Sequence, residues 1–110
     1  MAIKGNIIID QGADFQSSIT VADDAGDPVN LTQYTGASQM RKHYSSTTAY
    51  DFNVTISGNT GVVTLSMNAA TTANIAAGRY VYDCELTDTV TGTVSRIVEG
   101  IVTVTPNVTR

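Results

Sequence analysis

The sequence predicts an all-β protein, an immunoglobulin-like antiparallel β-sandwich of about seven strands with one short helical turn. Short segments of alternating apolar and polar residues recur about every ten residues, with turn-forming residues between them. Thr, Val, Ala and Gly are abundant and Trp is absent, which favours pleated strands over amphipathic helices. We expect residues 1–110 to form a single domain, because a chain of this length buries one core but not two.

The N-terminal third predicts two strands and the start of a third. Ile7-Ile8-Ile9 indicates a short first strand, and the alternation from Phe15 to Val21 indicates a second with one inward face. Residues 23–28 contain Asp, Gly and Pro, the residues that form turns. Val29 to Thr32 is expected to resume as a short strand that forms a hairpin with the second.

The middle of the chain predicts one weak strand and one clear hairpin. Ala37 to Tyr44 has Met40 as its only large aliphatic residue, so we expect a strand near a sheet edge. Residues 50–67 alternate regularly on both sides of a Gly-Asn-Thr-Gly turn, which is typical of a hairpin. Asn68 is placed to cap one or two helical turns that end at Gly78, with Ile75 directed inward.

The C-terminal third predicts a long β-hairpin. Asp88 and Gly92 suit its loop, since Asp bonds its own backbone and Gly adopts positive φ without steric cost. In the last strand, Glu99-Gly100 interrupts the apolar alternation, which indicates a bulge there. We expect a core in which the two sheets meet through Tyr80, Tyr82, Cys84, Leu86, Phe15, Ile19, Val54, Ile56, Val63 and Leu65.

Composition and charge argue against several functions. The net charge is −4, and the few Lys and Arg residues are scattered, so nucleic acid is not an expected partner. No apolar run has the about 18 residues of a membrane span, and the N-terminus lacks the features of a signal peptide. With a single cysteine there is no internal disulfide, and we expect folding in a reducing cytoplasm.

The sequence does not assemble a catalytic or metal-binding set. His43 is the only histidine and is interpreted as a surface residue, and Cys84 is interpreted as a buried apolar side chain. The acidic group Asp23, Asp24 and Asp27 lacks calcium-loop spacing and suits a turn. We therefore expect no enzymatic activity, no cofactor and no small-molecule substrate.

Three motifs, in order, carry a resemblance that covers nearly the whole chain. They are Leu31-Thr32-x-Tyr34, Gly78-Arg79-Tyr80-x-Tyr82-Asp83 and Glu99-Gly100-x-Val102-x-Val104. The set resembles the small virion structural β-sandwich of marine and cyanobacterial bacteriophages and is similar to the N-terminal module of phage baseplate upper proteins. The resemblance implies a non-enzymatic virion protein of the tail and baseplate or of the capsid exterior, with other virion proteins and copies of itself as partners.

A second function class remains open at the level of sequence. Tyrosines combine apolar area with a polar tip, so Tyr34, Tyr44 and Tyr50 would suit a receptor- or glycan-binding sandwich if they surrounded one concavity. Under the first hypothesis, the weak strand and its flanking tyrosines form a subunit contact. The predicted interface residues are Met40, Tyr44 and Tyr50.

Overall fold

The computed structural model describes residues 3–22, 26–27 and 29–108. This part of the chain forms eight strands: β1 Ile3–Lys4, β2 Ile7–Asp10, β3 Phe15–Thr20, β4 Tyr34–Arg41, β5 Tyr50–Ser57, β6 Val62–Met67, β7 Gly78–Asp88 and β8 Val94–Thr105. A 3-10 turn, Gly58–Thr60, joins β5 to β6, and a one-turn helix, α1 Ala69–Thr72, follows β6. The predicted all-β class is confirmed.

The strands form one continuous sheet in the order β1-β8-β7-β4-β5-β6-β3. The strand β2 also pairs with β8, following β1 along the same edge. β5 belongs to both halves of this sheet, since Phe52 pairs with Ser38 of β4 and the next residue, Asn53, pairs with Ser66 of β6. The sheet therefore wraps around one core and is barrel-like. The expectation of two separate sheets is wrong in this respect, because one strand changes partner along its length.

The sheet is also mixed rather than purely antiparallel. β1 and β2 both run parallel to β8, with Ile3 opposite Val98 and Ile7 opposite Val102. The break between them lies at Gly5 and Asn6, where the side-chain oxygen of Asn6 accepts a hydrogen bond of 3.1 Å from the backbone N–H of Ile101. The alternation of residues within a strand does not indicate its partner, so this pairing was not predicted.

β4 is a central strand, and its predicted position at an edge is wrong. It pairs with β7 along its whole length and with β5 from Ser38 to Met40. Its inward positions are small where the opposite half of the sheet comes closest: a Cβ placed on Gly36 would lie 2.6 Å from Cγ1 of Val54. The weak apolar signal of this segment thus reflects close packing across the core, not exposure.

β7 contributes to the core along most of its length. Its inward residues Tyr80, Tyr82, Cys84 and Leu86 are buried, as predicted. The Tyr80 hydroxyl donates a hydrogen bond of 2.6 Å to the carbonyl oxygen of Ala76, four residues earlier. A tyrosine at the start of a strand that bonds back to the preceding corner is a feature of immunoglobulin-like folds.

The segment between β6 and β7 contains the short helix that the sequence predicts, since α1 is a single turn. Asn68 caps α1 as expected, since its side-chain oxygen accepts a hydrogen bond of 2.8 Å from the N–H of Thr71. Ile75 is buried, which is also as predicted. Gly78 does not end the helix, because α1 stops at Thr72 and Gly78 is the first residue of β7.

The C-terminal hairpin forms as predicted, with its bulge displaced. Asp88 Oδ1 accepts hydrogen bonds from the N–H groups of Val90 and Thr91, at 2.8 and 3.3 Å, and this closes the loop. The register shifts between Cys84 and Glu85, which pair with Val98 and Arg96. Ile97 is therefore the bulged residue, rather than Glu99 or Gly100.

Two predicted segments differ or fall outside the described residues. Residues 29–32 do not form a strand, although the N–H of Val29 donates to the carbonyl oxygen of Val21 at 2.9 Å, as a hairpin partner would. Asp23 and Asp24 lie outside the described residues. Within the described ranges, no helix is long and apolar enough to cross a membrane.

Candidate functional site

The outward face of β4, β7 and β8 forms a shallow groove of about 340 Å³. On β7, Val81, Asp83 and Glu85 point outward because their neighbours of opposite parity are buried. This confirms that Asp83 and Glu85 lie on the outer side of the strand. We call the cavity the outer-face groove; its lining includes Gln39, Arg41, Tyr44, Val81, Asp83, Glu85, Arg96 and Glu99.

Ion pairs cross the floor of the outer-face groove. Arg96 lies 3.3 Å from Oδ2 of Asp83 and 3.2 Å from Oε2 of Glu99. Lys4 donates to Oε1 of the same glutamate at 2.6 Å, which joins β1 to the network. These hydrogen bonds, first that from Lys4 and then that from Arg96, lower the pKa of Glu99. The pairs are solvent-exposed, so each contributes little to the stability of the fold.

A second set of polar contacts fixes the loop at one end of the groove. The Arg41 guanidinium donates to the carbonyl oxygen of Ser46 at 2.6 Å and to Oε1 of Gln39 at 3.0 Å. The loop that follows β4 is therefore tied back to the strand. Tyr44 lies in this loop, lines the groove and is 87% exposed.

Apolar side chains continue the same face toward the sheet edge. Ile101 pairs with Val81 and is 41% exposed. It faces outward because residues of the opposite parity in β8, Val102 and Val104, are buried. On β2, Ile8 pairs with Thr103 and is 68% exposed. We call Ile8, Tyr44, Val81 and Ile101 the outer-face patch. Sequence reasoning missed this patch. The available signal was Ile101, an apolar residue that alternates with the buried valines of its strand.

A second cavity, of about 510 Å³, lies at the end of the barrel beside the same loop. Tyr50 meets the ring of Tyr80 edge to face, with centroids 6.1 Å apart, and the ammonium group of Lys42 lies 4.9 Å from the centroid of that ring. Because Lys42 covers the Tyr80 ring and Tyr50 packs on its edge, these contacts hold the loop to the core.

The predicted interface residues occupy three different environments. Met40 is completely buried, so its assignment to a subunit contact is wrong: the side chain belongs to the core. Tyr50 packs against the core and lines the end cavity, whereas Tyr44 is exposed beside the groove. Whether Tyr44 and Tyr50 contact another subunit stays a prediction.

The three tyrosines considered for glycan binding do not surround one concavity. Tyr34 is opposite Asp88 at one end of β4, and Met40, which pairs with Tyr50, is six residues further on. At about 3.3 Å per residue, the two ends are about 20 Å apart. Tyr34 is also packed against the core. The arrangement that would have favoured a sugar site is not present.

The chemistry-bearing residues of the described chain are placed as the sequence indicated. Cys84 is buried, and burial raises the pKa of its thiol to about 11, so the nucleophilic thiolate is disfavoured. His43 is exposed in the loop after β4. Among the described residues, no three His, Cys, Asp or Glu side chains converge as metal ligands would.

Comparison with known proteins identifies a fold. No family model matches the chain, and no curated protein gives a significant match. Among solved structures, 94% of the chain aligns with 28% of InlP from Listeria monocytogenes, with a TM-score of 0.52 and 15% identity. A family 123 glycoside hydrolase from Clostridium perfringens aligns over 97% of this chain and 24% of its own, with a TM-score of 0.44 and 13% identity.

These similarities concern architecture alone. The chain spans only about a quarter of the length of each of these two proteins. A shared fold does not by itself indicate which function this chain serves.

Proposed function

We propose that this chain is a non-enzymatic structural protein of a bacteriophage virion, which assembles through protein–protein contacts into the tail and baseplate or onto the capsid exterior. The observation that carries the proposal is the outer-face patch. Tyr44, Ile8 and Ile101 expose apolar area on the face that also holds the ion pairs of Arg96. Aromatic and aliphatic groups beside charged side chains are the composition of protein interfaces.

Polar contacts between the elements of this face support an assembly role. Arg96 bridges β7 and β8, Lys4 adds β1, and Arg41 holds the loop that carries Tyr44. Side chains that are already ordered lose less conformational entropy when a partner binds. The contact of Arg41 with the carbonyl oxygen of Ser46 limits the freedom of the loop that carries Tyr44, which favours binding at this face.

The sequence motifs that resemble phage virion domains lie in one part of the fold. The Gly-Arg-Tyr-x-Tyr-Asp motif begins β7, and the Glu-Gly-x-Val-x-Val motif lies opposite it in β8. The Tyr82 hydroxyl donates to the carbonyl oxygen of Gly5 at 2.5 Å, and a Cβ on Gly100 would clash with that same oxygen. The motifs therefore contact the N-terminal strands and join them to the C-terminal hairpin. They support the resemblance at the level of the fold.

Mass spectrometry of purified particles tests the proposal. Particles of the phage that encodes the chain are banded by density, heads are separated from tails, and peptides of the chain are quantified in each fraction against the major capsid protein. We expect a fixed stoichiometric ratio in one of the two fractions. Absence from both, with the chain found only in the lysate supernatant, would contradict a virion role.

A further inference from the structure

The two edges of the sheet differ in how they are protected. Natural edge strands are usually guarded by charge, proline, a bulge or shortness, because unpaired backbone groups invite another strand. At one edge, β1 and β2 carry Lys4 and Asp10 and are interrupted at Gly5 and Asn6. At the other edge, β3 is a six-residue strand, Phe-Gln-Ser-Ser-Ile-Thr, with no charge and no proline.

The pairing of β3 with β6 shows which backbone groups are directed outward. The N–H of Val21 donates to the carbonyl oxygen of Gly61 at 2.7 Å, and these residues continue the register of the two strands. In antiparallel strands, hydrogen-bonded and non-hydrogen-bonded pairs alternate, so every second residue of β3 turns its N–H and C=O away from β6. Those residues are Gln16, Ser18 and Thr20.

A side-chain contact supports this assignment of hydrogen-bonded and non-hydrogen-bonded pairs. The hydroxyls of Ser18 and Thr64 lie 3.0 Å apart, which agrees with the shorter separation of a non-hydrogen-bonded pair. The strand β6 is the only strand beside β3 among the described residues. The edge therefore presents three N–H and three C=O groups with no partner in the described part of the chain.

We propose that β3 pairs antiparallel with β3 of a second copy of this chain, about a two-fold axis at Ser18. In this register Ser18 lies opposite its own copy, and Gln16 lies opposite Thr20 in both directions. All the outward N–H and C=O groups then find partners, and six hydrogen bonds form between the two strands. A shift along the strand leaves some of them unpaired, so the contact is self-complementary in one register.

The surroundings of β3 favour the addition of a strand at this edge. Its inward residues Phe15 and Ile19 are only partly buried, so a second strand beside them extends the cover of the core. The start of the strand is held in place, because Asp14 accepts a hydrogen bond of 2.7 Å from the N–H of Ala69 and Thr72 donates one of 2.8 Å to the carbonyl oxygen of Ala13. The edge is thus fixed before it binds, which lowers the entropic cost of pairing.

A charge placed on the axis tests the inference. The use of this contact rests on the proposed assembly role, but its formation is measured in the purified protein and needs no particle. Ser18→Lys puts two ammonium groups side by side across the axis; it removes the hydroxyl contact with Thr64 but leaves the backbone hydrogen bonds to β6 in place. The control is Thr55→Lys, an exposed position in the same row across the sheet but two strands, about 10 Å, from the edge.

Sedimentation equilibrium at protein concentrations of about 0.1–1 mM gives the readout, because a contact of this small area is expected to be weak. We expect wild type and Thr55→Lys to show the same monomer–dimer equilibrium and Ser18→Lys to weaken it by roughly tenfold or more. Mixing Ser18→Lys with Ser18→Glu should restore the dimer. A wild-type protein that stays monomeric, or a Ser18→Lys variant that dimerises like wild type, would overturn the proposal.

A cross-link checks the register. In a Cys84→Ser background, Ser18→Cys should give a disulfide-linked dimer on mild oxidation, since directly opposed Cα atoms lie about 5.5 Å apart. The control Gln16→Cys should not, because its copy is offset by four residues, about 13 Å. Equal cross-linking of both variants would contradict the two-fold axis at Ser18, and failure of the particle test would leave this result unaffected.

Discussion

The two halves of the barrel differ in how completely their inward side chains are covered. In β4 and β7 the inward residues Met40, Cys84 and Leu86 are fully enclosed, because both strands have a neighbour on each side. In β3 and the second half of β5, Ile19 and Val54 pack on the same core but keep part of their surface in solvent. The strands β4 and β7 are therefore covered on both sides, whereas β3 and the second half of β5 retain surface that a partner can cover.

Truncating one leucine and one isoleucine tests this comparison. Leu86→Ala removes a fully enclosed side chain and leaves a cavity, so we expect a loss of about 2–5 kcal/mol in the free energy of unfolding. Ile19→Ala removes a partly exposed side chain at the β3 edge, where solvent fills the space, so we expect a smaller loss of about 1–2 kcal/mol. Urea denaturation followed by circular dichroism measures both values.

Equal losses of unfolding free energy in Leu86→Ala and Ile19→Ala would contradict this comparison. A second pair keeps the test independent of side-chain shape, because Val102→Ala and Val54→Ala remove the same atoms from a buried position in β8 beside β7 and from a partly buried position in β5. We expect truncation of the buried valine to lower the free energy of unfolding by more than truncation of the partly buried one. An equal or reversed order would show that the β3 half is as well supported as the β7 half.

The sequence predicted strand parity well where large residues alternate. It identified the inward residues of β3, β5, β6 and β7, the cap at Asn68 and the loop at Asp88. It failed at β4, where Gly36 and Ser38 face inward and the close approach of Val54 to Gly36 leaves no room there for a larger side chain. A small residue in a central strand and a small residue at an edge have the same pattern, so only the facing strand distinguishes them.

Much of the candidate surface could not be predicted for a related reason. Parity places Asp83 outward, but the pairs of Arg96 with Asp83 and of Lys4 with Glu99 depend on which strands are neighbours. The parallel addition of β1 and β2 to β8 brings Ile8 to the face of Ile101, and no local pattern specifies that pairing. Tyr44 was predicted as an interface residue, and its 87% exposure leaves that prediction open.

A pH dependence is expected from the better packed half. The N–H of Val90, followed by that of Thr91 and the side chain of Gln33, lowers the pKa of Asp88 from its ordinary value of 3.8. Because the unfolded chain then binds the proton more tightly, the stabilisation is present above pH 3.8 and is lost as the pH falls through the lower folded pKa.

Asp88→Asn isolates this contribution, since the amide keeps an oxygen for the loop but does not titrate. We expect the urea midpoint of wild type to fall between about pH 5 and pH 2 more steeply than that of Asp88→Asn. Identical slopes for the two proteins would show that the hydrogen bonds to Asp88 do not couple folding to protonation.

The smallest expected effect on stability belongs to the most exposed residue of the outer-face patch. Tyr44 is 87% exposed, so Tyr44→Ala should leave the free energy of unfolding unchanged within about 0.5 kcal/mol. If the patch is a subunit contact, the same variant should be incorporated into particles at a reduced level, because an aromatic anchor is lost from the interface. Quantitative mass spectrometry of particles made by complementation measures the incorporation.

Val90→Ala is the matched control for that experiment. Val90 is 74% exposed, but it lies at the tip of the C-terminal hairpin, at the opposite end of β7 from the loop that carries Tyr44. We expect Val90→Ala to be incorporated like wild type, so that a defect in Tyr44→Ala reports the outer face rather than a general loss of apolar surface. Tyr50→Ala is unsuitable for this purpose, because Tyr50 packs against Tyr80 and its removal would also destabilise the core. Wild-type incorporation of Tyr44→Ala would remove the outer-face patch from the assembly contacts and leave the β3 edge as the surface to be examined.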